Sequence, residues 1–261
     1  MVVLLQFVPP YASKGIDWSE AGRFTGEILA SSIVYDFAVL YPVFKVIPVL
    51  LVICLVLLGN RVARIFNLYV GFTYVLFAIL QNVAFTPRYG LVIITINVVM
   101  FLVVAAFWFW EALVGRNDFS SHKTPVWKFW VVPFAVMAFW YPADPVTLMP
   151  DFNPVYFLTN FAGLTFCMMT TVYLAILAIY HPHVNLATLR VTSLVGLVIS
   201  FYNILANFIL SLQQLWWNGV LHIPLLTLSA YGLLLSFRRR ETGERSVVAL
   251  GIVPHFRASF G

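Results

Sequence analysis

Seven apolar stretches follow one another along this chain, separated by short polar breaks. A hydrocarbon core of ~30 Å needs roughly 20 apolar residues per crossing helix. On that length the spans fall at about 33–58, 64–85, 90–114, 126–142, 155–180, 190–212 and 216–237. The pattern predicts an all-α fold, a polytopic transmembrane bundle of seven helices carried by residues 33–237. Residues 1–32 are then an extracytoplasmic N-terminal tail, and 238–261 a basic cytoplasmic tail. Within the first tail, residues 17–31 have the spacing of a short interfacial helix. Asp17 is its N-cap, Glu20 lies three positions on, and Trp18, Phe24 and Ile28 form its apolar side.

Composition agrees with the pattern. Of 261 residues, 62% are hydrophobic and 10% charged, far below the ~25% charged of soluble domains. One soluble core of this size could not bury so much apolar surface, so lipid must cover the excess. The net charge of +5 does not point to nucleic acid, because its distribution is that of a membrane topology. Arg61, Arg64, Arg116, Lys123, Lys128, Arg190, Arg238, Arg239, Arg240, Arg245 and Arg257 fall on one side. The other side holds Lys14, Arg23 and Arg88. By the positive-inside rule the N-terminus is outside and the C-terminus cytoplasmic, in a multi-pass protein of the cell membrane. Arg238-Arg239-Arg240 reads as a stop-transfer anchor at anionic headgroups. Met1-Val2-Val3-Leu4-Leu5 lacks a basic region and a cleavage site, so no cleavable signal is expected. Cys54 and Cys167 both fall within predicted helices and define neither a disulfide framework nor a metal site.

Candidate chemistry lies in polar stripes inside the apolar segments. In the sixth span Ser193, Gly196, Ser200, Asn203, Asn207, Ser211 and Gln214 fall within an arc of roughly 80° at 100° per residue. Such a face cannot point at lipid without leaving amides unsatisfied. The second span repeats the pattern with Asn67, Gly71, Tyr74, Ala78 and Gln81, and the fifth with Asn160, Gly163, Cys167 and Thr171. The third places Asn97 and Glu111 on one face, with Glu111 at its cytoplasmic edge, and the seventh carries His222 and Ser229. These residues either bond helix to helix or line a polar path.

Two charges in the first span stand out, since intramembrane charge is functional by default. Lys45 lies between Pro42 and Pro48, and Asp36 nine positions earlier falls on the opposite face of a regular helix. The competing reading has Lys45 snorkelling outward and Asp36 at the outer interface. His181-Pro182-His183 stands alone at a helix end without a nearby carboxylate or thiol, so no metal site is expected. No haem arrangement, Ser/His/Asp order or His-Glu-x-x-His is present, which makes an enzyme the least supported class and implies no cofactor.

Phe24-Thr25-Gly26-Glu27, then Tyr35-Asp36, then Ala38-Val39-Leu40-Tyr41-Pro42 resemble the opening of a family of uncharacterised bacterial seven-helix integral membrane proteins, a domain of unknown function. Its members run Phe-Thr-x-Glu, Tyr-Asn and Ala-Val-Trp-Pro. Cys167-Met168-Met169-Thr170-Thr171, followed by Leu174, is similar to that family's Cys-Pro-Thr-Thr region, with Met in place of the proline that would kink the helix. His222-Ile223-Pro224-Leu225 also fits. The resemblance implies a seven-helix bundle and brings no activity with it.

Two functions follow as expectations. The first is a transporter or channel for a small polar solute. Its path would be lined by Ser200, Asn203, Asn207, Gln81, Tyr74, Asn160 and Thr171, with Lys45 or Asp36 as the charged element. The second is a non-catalytic structural or assembly subunit of a larger membrane complex, in which the same stripes meet partner helices or a second copy. Apart from the bilayer, no partner is specified by the sequence.

Overall fold

The computed structural model describes residues 8–16, 21–120, 124–210 and 212–237. A short strand, β1 (Tyr11–Ala12), precedes helix α1 (Ala21–Ala30). A 3-10 segment, Ile33–Leu40, runs directly into α2 (Tyr41–Leu58). Pro42 sits in the first turn of α2, where no intrahelical N–H is lost. Gly59 then turns the chain at φ +54 into α3 (Asn60–Leu80); a Cβ there would lie 3.1 Å from the Phe119 carbonyl oxygen. Strands β2 (Val83–Thr86) and β3 (Gly90–Ile93) form a hairpin, and α4 (Thr95–Val114) follows.

A 3-10 turn, Val126–Trp130, opens into α5 (Val131–Trp140). The loop 141–155 leads to the short α6 (Tyr156–Thr159), a 3-10 turn Phe161–Leu164, and α7 (Phe166–Tyr180). Helix α8 (Leu186–Leu205) passes into a π-helical turn, Ala206–Leu210, and α9 (Leu212–Phe237) closes the described chain.

Five of these helical stretches are long and apolar enough to cross a membrane: Ile33–Leu58, Asn60–Leu80, Thr95–Val114, Leu186–Ile209 and Leu212–Phe237. Tyr156–Leu164 with Phe166–Tyr180 makes a sixth if that pair, bent by 95°, is one passage. Val126–Trp140 is apolar but shorter.

Helix α7 lies at the centre. Twelve of its 15 residues are buried, all but Val172, Ile179 and Tyr180. Around it an aromatic cluster packs edge to face. Phe66 meets Trp108, Phe119 and Tyr173 with ring centroids 5.7–6.3 Å apart, and Phe101 stacks on Phe166 at 4.0 Å. Each such pair contributes about 0.5–1.5 kcal/mol beyond its area. The α2 stretch is the peripheral one, exposing Val46, Leu50, Ile53 and Leu57 along one side.

Several expected boundaries are corrected. The span placed at 64–85 ends as a helix at Leu80, and the one placed at 90–114 begins as β3. All-α therefore gives way to a mostly helical fold with a three-stranded antiparallel sheet, order β1-β3-β2. The reason is local. Pro87 cannot continue a ladder or a helix, Gly90 takes φ +71, and the Tyr89 N–H bonds back to Thr86 Oγ1 at 3.0 Å, making a turn between β-branched runs. The N-terminal segment completes the sheet, with Tyr11 opposite Ile93 and Lys14 Nζ donating to the Pro87 carbonyl at 2.9 Å. The span placed at 155–180 is broken rather than continuous. Helix α8 starts at Leu186 rather than near 190, because Asn185 caps it by accepting from the Ala187 N–H. The expected helix at 17–31 is seen from Ala21. Its proposed cap Asp17, with Trp18 and Glu20, lies outside the described residues, as do Lys123, Ser211 and the tail 238–261.

Candidate functional site

Among the described residues, three polar regions stand out in the apolar bundle. The first is the stripe of α8, which faces α9 along one antiparallel register. A Cβ on Gly232 would lie 2.4 Å from Ser193 Oγ, and one on Gly196 would lie 2.4 Å from Ser229 Oγ. Further along the same seam, Asn218 Nδ2 donates to Asn207 Oδ1 at 3.0 Å. Small residues let the two backbones approach, and an amide pair fixes the far end. Ser200 Oγ donates to the Leu197 carbonyl, Asn203 Nδ2 to Ile199 and Asn207 Nδ2 to Asn203. The Asn203 carbonyl, at the entry to the π-helical turn, accepts the Ala206 N–H as well. The chain of bonds reaches α5, since Tyr141 Oη donates to Asn218 Oδ1 at 2.8 Å. The buried ring of His222 meets the Asn218 carbonyl through Nδ1 at 2.7 Å.

The second region surrounds the break before α7. The last carbonyls of a helix have no intrahelical donor, and α5 ends at Trp140 with Tyr141 in the left-handed region at φ +50. Lys45 Nζ donates to the Phe139 carbonyl and lies 4.4 Å from the centre of the Phe139 ring. Asn160 Nδ2 donates to Trp140 O at 2.7 Å and Tyr141 O at 3.1 Å, while its Oδ1 accepts from the Ala162 N–H. Three consecutive carbonyls thus receive donors from two side chains, the Tyr141 carbonyl also accepting the Ala143 N–H at 2.8 Å. A cation at a helix C-terminus also complements the helix dipole. Gly163 makes the approach possible, as a Cβ there would lie 2.6 Å from the Phe44 carbonyl oxygen. At the other end of the break, Gln81 Oε1 accepts the Phe166 N–H at 2.9 Å, taking one of the orphan donors of α7. Further into the bundle Tyr74 pairs with Thr170 and Thr73 with Tyr173, both at 3.0 Å, and Thr171 bonds back to the Cys167 carbonyl.

Lys45 is therefore fully buried and does not snorkel, whereas Asp36 is exposed and shares no contact with it. The expected path residues divide into two groups. Ser200, Asn203 and Asn207 belong to the α8–α9 seam. Gln81, Asn160, Tyr74 and Thr171 belong to the surroundings of α7.

The third region was not singled out as a cluster in the sequence. At the opposite end of the bundle, in the last turn of α4, Glu111 is fully buried. Its Oε1 accepts the Asn117 N–H and its Oε2 the Asn185 Nδ2, both at 2.5 Å. Asn117 in turn donates to Asn67 Oδ1 at 3.3 Å and accepts the Asn185 N–H at 2.7 Å. Three helices and the loop after α4 meet there. The available signal was Asn185 as a helix cap. Among the described residues no group of three metal-ligating side chains occurs.

No family model matches the chain, and no curated protein or solved structure matches it.

Proposed function

We propose that this chain is a seven-crossing protein of the cell membrane, N-terminus outside and C-terminus in the cytoplasm, that serves as a non-catalytic structural or assembly subunit of a larger membrane complex. The short Val126–Trp140 helix and the bent α6–α7 pair supply the two crossings beyond the five long ones. One observation carries the structural role: a solid helix, α7, occupies the middle of the bundle, sealed by aromatic rings and hydroxyl pairs. The polar groups of the spans hold helix ends and helix seams, which is the work of a scaffold.

Thiol access at Asn203→Cys, in a chain carrying Cys54→Ala and Cys167→Ala, tests this reading. Ser193→Cys and Gln214→Cys serve as depth controls. A membrane-impermeant reagent is expected to leave position 203 unlabelled from either side. Native electrophoresis in mild detergent is expected to show the chain in an assembly heavier than one 29.6 kDa copy. Reporter fusions at Gly115 and Pro145 test orientation, with the cytoplasmic signal expected at Gly115.

A second reading, passage of a small polar solute, draws support from the interrupted α6–α7 passage, since broken helices build solute sites in transporters. Rapid labelling at position 203 would favour it over the scaffold.

A further inference from the structure

Where α2 turns into α3, a surface cleft of about 480 Å³ opens, within the ~300–1,000 Å³ range of small-ligand sites. Its two ends differ in chemistry. One wall is apolar, formed by the exposed side chains of Val56, Leu57 and Leu58 in the last turn of α2. The other end holds Arg61 and Ser120. The floor is rigid: Asn60 Nδ2 donates to Asp118 Oδ1 at 2.7 Å and Ser120 Oγ at 2.9 Å, and its Oδ1 accepts the Phe119 N–H at 2.6 Å. Asp118 is turned onto Asn60 and the Ser120 N–H at 2.9 Å, and no carboxylate of the described residues pairs with Arg61. Arg64, one turn further on, is exposed as well.

Below the cleft the apolar wall continues. Val46, Leu50, Ile53 and Leu57 are exposed at steps of four, three and four residues, so they form one strip down the side of α2. A guanidinium mouth above an apolar strip that runs into the slab is complementary to an anionic head joined to an acyl chain. A free phosphate would leave the strip unused.

We infer that this cleft binds an anionic phospholipid, its phosphate at Arg61 and one acyl chain along the α2 strip. Its place in the cytoplasmic leaflet, where anionic lipid is concentrated, rests on the orientation proposed above. Binding itself does not, so a test in detergent separates the two.

Native mass spectrometry of the delipidated full chain, with phosphatidylglycerol, phosphatidylcholine and glycerol 3-phosphate as probes, is decisive. One phosphatidylglycerol is expected to be retained, with phosphatidylcholine weaker by about fivefold and glycerol 3-phosphate not held. Arg61→Gln is expected to lower phosphatidylglycerol occupancy by about fivefold, and Arg116→Gln, an equal charge change at another exposed arginine, to leave it unchanged. Equal losses in the two variants would reduce the effect to general surface charge and overturn the site. So would phosphatidylcholine binding as well as phosphatidylglycerol, or glycerol 3-phosphate binding as well as the intact lipid.

Discussion

Lys45 Nζ, on α2, donates to the main-chain carbonyl of Phe139, next to last in α5, and so a buried cation closes the end of a short helix on another element. Lys45→Met keeps the stem and removes the donor. Asn160→Ala removes the neighbouring cap. Each is expected to lower stability in detergent by about 1–3 kcal/mol, as an acceptor is left unsatisfied in an apolar setting. Because both serve one helix end, a double-mutant cycle should show coupling. A Lys45→Met chain with the wild-type melting temperature would remove the capping role.

The α8–α9 seam gives a steric prediction. Gly232→Ala places a methyl 2.4 Å from Ser193 Oγ and is expected to cost about 1–3 kcal/mol. Ser193→Ala removes the clashing oxygen and is expected to restore most of the loss. Fluorescence-detected size-exclusion melting of the single and double variants reads this directly. No recovery in the double variant would mean that the helices do not meet in this register.

Glu111→Gln keeps shape and removes one acceptor. Both carboxylate oxygens receive donors, so the new amide must face either the Asn117 N–H or Asn185 Nδ2. A loss of about 1–3 kcal/mol is expected, with the loop after α4 opening first. Faster amide exchange at Asn117 and Phe119 than at the aromatic cluster would show it; uniform change across the bundle would contradict it.

The loop between α5 and α6 carries a pH prediction. The Thr147 N–H and hydroxyl and the Val146 N–H all bond to Asp144 and hold its carboxyl below the ordinary 3.8. The native value is the depressed one, so the turn's contribution is present above 3.8 and is lost as pH falls through the lowered value. The Val146 and Thr147 amide resonances should therefore move together below the ordinary carboxylate range. Asp144→Asn should abolish that transition, and the bundle should not respond, because Asp144 is at the surface.

Hydropathy made the long helices legible because lipid is an averaging solvent: any run of apolar side chains satisfies it. The same averaging hid the hairpin. Val83 and Leu91-Val92-Ile93 are as apolar as the helices beside them, and the turn at Thr86-Pro87 was the cue to stop. The stripe from Ser193 to Asn207 was legible as a face, since its spacing is local. Its partner was not, because the α9 residues Gly232, Ser229 and Asn218 match it only once the register is known. Glu111 and Asn185 are 74 positions apart, and nothing local marks them as neighbours. Lys45 was legible as an anomaly, and the end of α5 fell close to the expected 142, but the carbonyl that receives Lys45 is 94 positions away and nothing local joins the two.

A helix of 15 residues such as α7 is about 22 Å long, short of the ~30 Å that lipid would ask it to fill. Its sides carry Thr170, Thr171 and Tyr173, and its first N–H is taken by Gln81 rather than by water. Such a segment has no comfortable resting place in bare bilayer. Helices α3 and α5 precede it in the chain and α8 and α9, which also pack on it, follow, so its enclosure is complete only once those two are made.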